Sequence, residues 1–245
     1  MMDVNKLHVR DRLIVALDLP SAQPALDLVK SLGDSVTTYK VGKQLFTAEG
    51  PDLVRKLVRS GRNVFLDLKF HDIPTTVSGA VAAAAGLGVS MLTVHAAGGS
   101  EMLRQAVEAA AKAPKPPLVL AVTVLTSLRD LHEIGIDREV KLQVSLMAEL
   151  ARQSGCRGVV ASPEEASSLR KQLGPDFAIV TPGVRPLGVD AGDQKRAATP
   201  ASAVAAGASH IVVGRPITGA KDPAAAVRAI FQEMTEAAEP QPVRC

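Results

Sequence analysis

The chain has 245 residues, 47% of them hydrophobic, with 28 Lys plus Arg against 25 Asp plus Glu and a formal net charge of +3. That is enough apolar material for one sizeable core, and so mild a charge excludes a nucleic-acid binder that works by bulk electrostatics. With no Trp and one Tyr it lacks stacking platforms for single strands, while leaving room for a local basic pocket that takes an anionic ligand.

The start, MMDVNKLHVRDR, is charged and has no apolar signal-peptide core. The apolar runs that follow are too short and too interrupted to span a bilayer. A cytoplasmic protein without membrane or nucleic-acid partners is expected. Short aliphatic runs then alternate with longer amphipathic or Ala-rich ones. The first four predicted strands are LIVALDL (13–19), TTYKVG (37–42), NVFLDLKF (63–70) and MLTVHA (91–96). The other four are LVLAVTVL (118–125), GVVAS (158–162), FAIVTPG (177–183) and HIVVGRP (210–216). Predicted helices cover about 21–32, 47–60, 75–86, 100–112, 139–154, 163–172, 200–206 and 222–237.

Ser21 stands ahead of the first helix, and Ser162-Pro163-Glu164-Glu165 places a cap residue, a first-turn Pro and two acids in order. Gly33, Gly61 and Gly155 follow helices where a left-handed residue is useful. Eight strand–helix units predict a parallel sheet with helices outside. Eight strands also close a barrel whose interior side chains just fill it, so a single α/β domain, a (β/α)8 TIM barrel spanning 1–245, is expected. An open doubly wound sheet is the alternative, weakened by the lack of G-x-G-x-x-G after the first strand. The end, 237–245, reads as a frayed tail, and 183–199 is one long loop of the kind that binds or covers ligands. Cys156 and Cys245, the only cysteines, make neither a disulfide framework nor a zinc set and read as idle thiols.

The third strand raises the chemical question. Alternation puts Val64, Leu66, Leu68 and Phe70 on one face and Phe65, Asp67 and Lys69 on the other. The apolar face suits the outer helices, which sends Asp67 and Lys69 inward near the C-terminal mouth, where barrel active sites are built. A lone buried ion pair would be weak evidence for anything, since desolvating each ion costs several kcal/mol. Here, however, Asp18 ends the first strand and Lys40 lies late in the second. Four charges of alternating sign converge on one mouth, as they do at catalytic sites.

The element Asp67, Lys69, Asp72 lies within FLDLKFHDIP. With ALD at 16–18, YKVG at 39–42, VTVLTS at 122–127, TPGVRP at 181–186 and VVGRPI at 212–217, it resembles the bacterial type of orotidine 5′-phosphate decarboxylase. The resemblance covers nearly the whole chain. D-x-K-x-x-D by itself is shared with sugar-phosphate decarboxylases and hexulose-phosphate synthases on the same barrel; the other motifs make the match specific. The resemblance implies conversion of orotidine 5′-phosphate to uridine 5′-phosphate in pyrimidine biosynthesis, with no metal and no cofactor. It implies Lys69 as proton donor, Asp67 beside the substrate carboxylate, and a network of Lys40, Asp67, Lys69 and Asp72 that keeps the ammonium groups charged. It also implies a homodimer with shared sites, Asp72 and Thr76 reaching the ribose in the partner. Asp18 and Lys40 match ribose and network contacts, and Thr126 and Ser127 match pyrimidine contacts. Arg185 and Gln194 in the long loop match a phosphate-gripping lid. Gly214 and Arg215 follow the eighth strand, where barrels often hold phosphate.

Two other functions are weighed against this. A magnesium-dependent sugar-phosphate decarboxylase or synthase would have an acidic ligand where Lys40 stands, and a cation is a poor neighbour for a metal. A non-catalytic nucleotide-phosphate-binding barrel would not require so costly a charge array. His71 and His95 are possible acid–base groups that read better as supporting residues; His132 and His210 carry no signal, and Gly98-Gly99 is a weak anion cue.

Overall fold

The computed structural model describes residues 7–186 and 198–236. The predicted tail at 237–245, Cys245 and Gln194 lie outside them. Eight parallel strands, β1 (Leu13–Ala16), β2 (Thr38–Gly42), β3 (Asn63–Phe70), β4 (Met91–His95), β5 (Leu118–Val122), β6 (Gly158–Val160), β7 (Ala178–Thr181) and β8 (His210–Val213), pair in sequence order. β1 also pairs with β8, Leu13 opposite Ile211, so the sheet closes. The fold is a (β/α)8 TIM barrel, and the open-sheet alternative is excluded. No described helix is long and apolar enough to cross a membrane.

Strand parity builds two apolar layers. Ile14, Ala16, Phe65, Leu120, Val122, Val160, Ala178, Val180 and Val212 fill the barrel interior. Their neighbours Leu13, Val15, Val64, Leu66, Val119, Ala121, Ile179 and Ile211 pack outward against the helices. The interior has no slack at β6: a Cβ on Gly158 would lie 2.5 Å from Leu120 Cδ2 and 2.6 Å from the Ala178 Cβ. At the bottom of the barrel Arg12, just before β1, donates to the Ala208 carbonyl at 2.7 Å and the Ser209 carbonyl at 3.3 Å, tying the first strand to the approach to the last.

The outer helices are α1 (Ala22–Leu32), α2 (Lys43–Arg59), α3 (Pro74–Ala85), α4 (Gly99–Ala111), α5 (Val140–Gln153), α6 (Pro163–Leu173), α7 (Pro200–Ala205), α8 (Arg215–Thr218) and α9 (Pro223–Glu236). Three expectations need correction. α2 begins at Lys43, well before residue 47, and is two helices joined at Gly50, whose φ of 67° and following Pro51 break the first. Arg215 and Pro216 belong not to the last strand but to the short helix α8, where Pro216 suits a first turn. Ser21 is at the start of α1 but its side chain caps nothing; the Ala22 N–H donates instead to Glu49 Oε1 at 2.8 Å. Ser162 does cap α6, accepting from the Glu164 N–H at 3.3 Å, and Gly33, Gly61 and Gly155 all have positive φ.

Candidate active site

The interior side chains change character toward the C-terminal ends of the strands. Below, they are aliphatic; at the mouth of β1–β4 they are Lys40, Asp67, Lys69 and Thr93, with Asp18 two residues beyond the end of β1. Asp18 Oδ1 accepts from Lys40 Nζ at 2.8 Å, and Lys40 Nζ stands 3.8 Å from Asp67 Oδ2. Both Asp67 oxygens accept from Lys69 Nζ at 2.8 Å. The result is an unbroken row, Asp18–Lys40–Asp67–Lys69, in which each inner charge lies between two of opposite sign. Lys40 and Asp67 are 12% and 13% exposed at the side chain, and Asp18 is 55% exposed, so the row runs from the interior to solvent.

Lys69 reaches the cavity by an unusual backbone. Among the described residues it is the one non-glycine with positive φ, 53°. The β3–β4 register runs Leu66 opposite Leu92 and then Phe70 opposite Val94. One-to-one pairing therefore does not hold beyond Leu66: residues 67–69 bulge across from Thr93 alone. Bulges re-aim side chains at active sites. Here the bulge keeps Asp67 and Lys69 on the cavity wall while Leu68 and Phe70 pack with the outer core.

Gly42 gives the row its space. A Cβ there would sit 2.8 Å from Lys40 Nζ and 3.1 Å from Asp18 Oδ1. Its φ of −92° is open to any residue, so the requirement is for room and not for backbone freedom.

The charged row forms one wall of a cavity of about 380 Å³. Its floor is apolar, with Phe65, Val122, Val160 and Val212. Two arginines also line it: Arg185 follows β7 and Arg215 opens α8, beside Gly183 and Gly214, and Gly214 adjoins Asp18, its Cβ position 3.8 Å from Asp18 Oδ2. Arg185 is buried, and burial, then the charge of Arg215, push its guanidinium below the ordinary value. Two cations held this close suit a ligand group carrying more than one negative charge. The base of the long loop is fixed where Val184 bridges Ala198 and the Arg185 N–H donates to the Ala198 carbonyl at 2.9 Å. The cavity thus brings together two arginines for an anion, an apolar floor, and an ammonium clamped by a carboxylate.

A family model described as orotidine 5′-phosphate decarboxylase / HUMPS family matches residues 11–230. The chain belongs to that family. A relative from Moorella thermoacetica named orotidine 5′-phosphate decarboxylase is 52% identical over 242 residues, 96% of each chain. One of the same name from Halorhodospira halophila is 54% identical over 228 residues, 92% of this chain and 97% of the relative. The crystal structure of orotidine 5′-phosphate decarboxylase from Lactobacillus acidophilus superposes with a TM-score of 0.82 at 42% identity, covering 91% of this chain and 99% of that one.

Of the site residues expected from the sequence, the cavity brings together Asp18, Lys40, Asp67, Lys69, Thr126, Arg185, Gly214 and Arg215. Ser127 is exposed and does not line it. Asp72 and Thr76 are exposed on the β3–α3 connection and the first turn of α3, away from their own cavity. Asp72 Oδ1 accepts from the Ile73 N–H at 2.6 Å, and the row in this chain ends at Lys69 without Asp72. His71 and His95 stack on each other, centroids 5.1 Å apart, outside the cavity lining. Burial, then His71, Lys69 and Lys43, push His95 down to about 4. It is neutral at pH 7 and unfit to donate a proton there.

Sequence reasoning missed Thr93 and Gly42. Thr93 is wholly buried; its hydroxyl donates to Asp67 Oδ1 at 3.0 Å and accepts from the Lys69 N–H at 2.8 Å. In sequence it is an ordinary β-branched strand residue, and its one signal is inward parity one residue before Val94.

Proposed function

We propose that the protein decarboxylates orotidine 5′-phosphate to uridine 5′-phosphate without metal or cofactor, with Lys69 as proton donor. The observation that carries this is the Lys69 ammonium, held by both Asp67 oxygens at 2.8 Å on the wall of a cavity that Arg185 and Arg215 also line. The substrate phosphate would lie against Arg185, Arg215 and the Gly214 backbone, joined by Gln194 from outside the described residues. The ribose would lie along Asp18 and Lys40, and the pyrimidine by Thr126. This puts the ring carboxylate beside Asp67. Two like charges about 4 Å apart at an effective dielectric of ~20 repel by roughly 4 kcal/mol, a stress that ends as carbon dioxide leaves.

In the chemical step the ring carbon–carboxylate bond breaks and its electron pair stays on the ring carbon. That pair then takes a proton from Lys69 Nζ, and the neutral amine regains one from solvent. The ammonium, fixed in place by Asp67, stabilises charge as it develops. Arginine contacts remote from the reacting carbon supply binding energy usable in the transition state.

The reading includes a homodimer in which Asp72 and Thr76 complete the partner's site. Their exposure away from their own cavity supports this, as does Ile73 between them, an apolar side chain left 64% exposed. The test is to treat the protein with a chelator, add orotidine 5′-phosphate and follow the ultraviolet change with carbon dioxide release. Sustained turnover is expected. Activity abolished by the chelator would favour the magnesium-dependent chemistry of the barrel's relatives, and tight uridine 5′-phosphate binding without carbon dioxide release would favour a non-catalytic binder.

A further inference from the structure

We propose that Thr93 is a positioning residue that holds the Lys69–Asp67 pair in its working geometry, through the single hydroxyl it offers to the β3 bulge. The proposal rests on the decarboxylase reading, which gives the pair its task.

Three residues of β3 stand opposite Thr93 alone, so the regular ladder offers the Lys69 N–H no backbone acceptor. Thr93 Oγ1 takes that place at 2.8 Å. L-residues avoid positive φ, and one that adopts it must be held there by its surroundings. Lys69, at φ 53°, is held by this hydrogen bond at its backbone and by Asp67 at its ammonium. The same hydroxyl spends its one proton on Asp67 Oδ1 at 3.0 Å. A ring closes: Thr93 Oγ1 to the Asp67 carboxylate, the carboxylate to Lys69 Nζ, and the Lys69 N–H back to Thr93. Each link fixes the next, and the donor's position is set by a group that never meets the substrate. Thr93 is 0% exposed, so water cannot replace a lost hydroxyl without a cavity being opened for it. Valine would fill the same volume and make neither bond.

The experiment compares wild type, Thr93→Val and Thr93→Ser, measuring kcat and KM for orotidine 5′-phosphate, uridine 5′-phosphate affinity and Tm. Misplacing a catalytic group by about 1 Å can cost on the order of a hundredfold, and that is the fall in kcat expected for Thr93→Val, with KM and product affinity little changed. Thr93→Ser, which keeps the hydroxyl, is expected to restore most of kcat. If Thr93→Val does not fold, Thr93→Cys, compact and only a weak hydrogen-bonding group, takes its place with the same expectation. Wild-type kcat in the variant lacking the hydroxyl, a loss confined to KM, or a loss that serine does not repair would each overturn the assignment. A wild-type protein with no turnover would instead sink the decarboxylase reading and this inference with it. An active wild type with an unaffected variant would sink the inference alone.

Discussion

Replacing Gly42 with alanine tests whether the charged row acts as an arranged device or as a set of incidental ion pairs. The new Cβ would lie 2.8 Å from Lys40 Nζ, where ordinary contact begins at 3.4 Å, so the ammonium must retreat by about 0.6 Å. Asp18, with Oδ1 at 3.1 Å from that Cβ, must give way as well. The backbone at residue 42 is already in a region alanine accepts, and the atoms displaced are the ends of side chains. Stability should therefore change little. Asp18 is half exposed, so the disturbed Lys40–Asp18 pair is worth no more than about 1 kcal/mol. Function is another matter, because a shift approaching 1 Å at a catalytic group costs on the order of ten- to a hundredfold in kcat/KM, or about 1.4–2.7 kcal/mol of transition-state stabilisation. Steady-state kinetics on orotidine 5′-phosphate, beside a denaturant titration, separate the two quantities. Wild-type kcat/KM in Gly42→Ala, or a loss of activity matched by a large loss of stability, would refute the reasoning.

Two further outcomes are expected. Chains carrying Lys69→Ala and chains carrying Asp72→Ala, each inactive alone, should regain about a quarter to a half of wild-type activity when mixed and re-formed as dimers, since a mixed dimer keeps one intact site; confirmed mixed dimers without activity would contradict site sharing. His210 is buried, and burial, then Arg12, push it down to about 4 from 6.5. The unfolded chain therefore takes up a proton below pH 6.5 that the folded chain refuses until about pH 4. Stability should fall across that window by roughly 3 kcal/mol from this group. Denaturant titrations from pH 7 to 4.5 should show a shallower fall for His210→Gln, and identical slopes would dismiss the effect.

The fold was legible because β-branched and aliphatic runs alternating with amphipathic segments leave few solutions, and all eight strand cores lie where the runs do. Strand ends were less legible. Predicted strands ran past β1, β5 and β8, since near the mouth the chain leaves the ladder while its composition stays apolar; Arg215 and Pro216 turn into α8 for this reason. The 47–60 prediction missed the start of α2 at Lys43 and ran through Gly50-Pro51, where the helix breaks. In the site, the charged residues announced themselves by standing where an interior should be apolar. The bulge did not, because NVFLDLKF alternates without a flaw and the slip exists only in its pairing with β4. Thr93 and Gly42 were silent for a related cause: one acts through a hydroxyl on a common strand residue, the other through a side chain it lacks. Asp72 and Thr76 are exposed and do not line the cavity, and the single chain offers no geometry that would assign them.

The most direct measurement is turnover of orotidine 5′-phosphate by Lys69→Ala, set beside its affinity for uridine 5′-phosphate. A fall in kcat by many powers of ten with nucleotide affinity largely kept is predicted, because the residue supplies the proton and not the grip. Turnover close to wild type would mean that the ammonium clamped by Asp67 is not the donor.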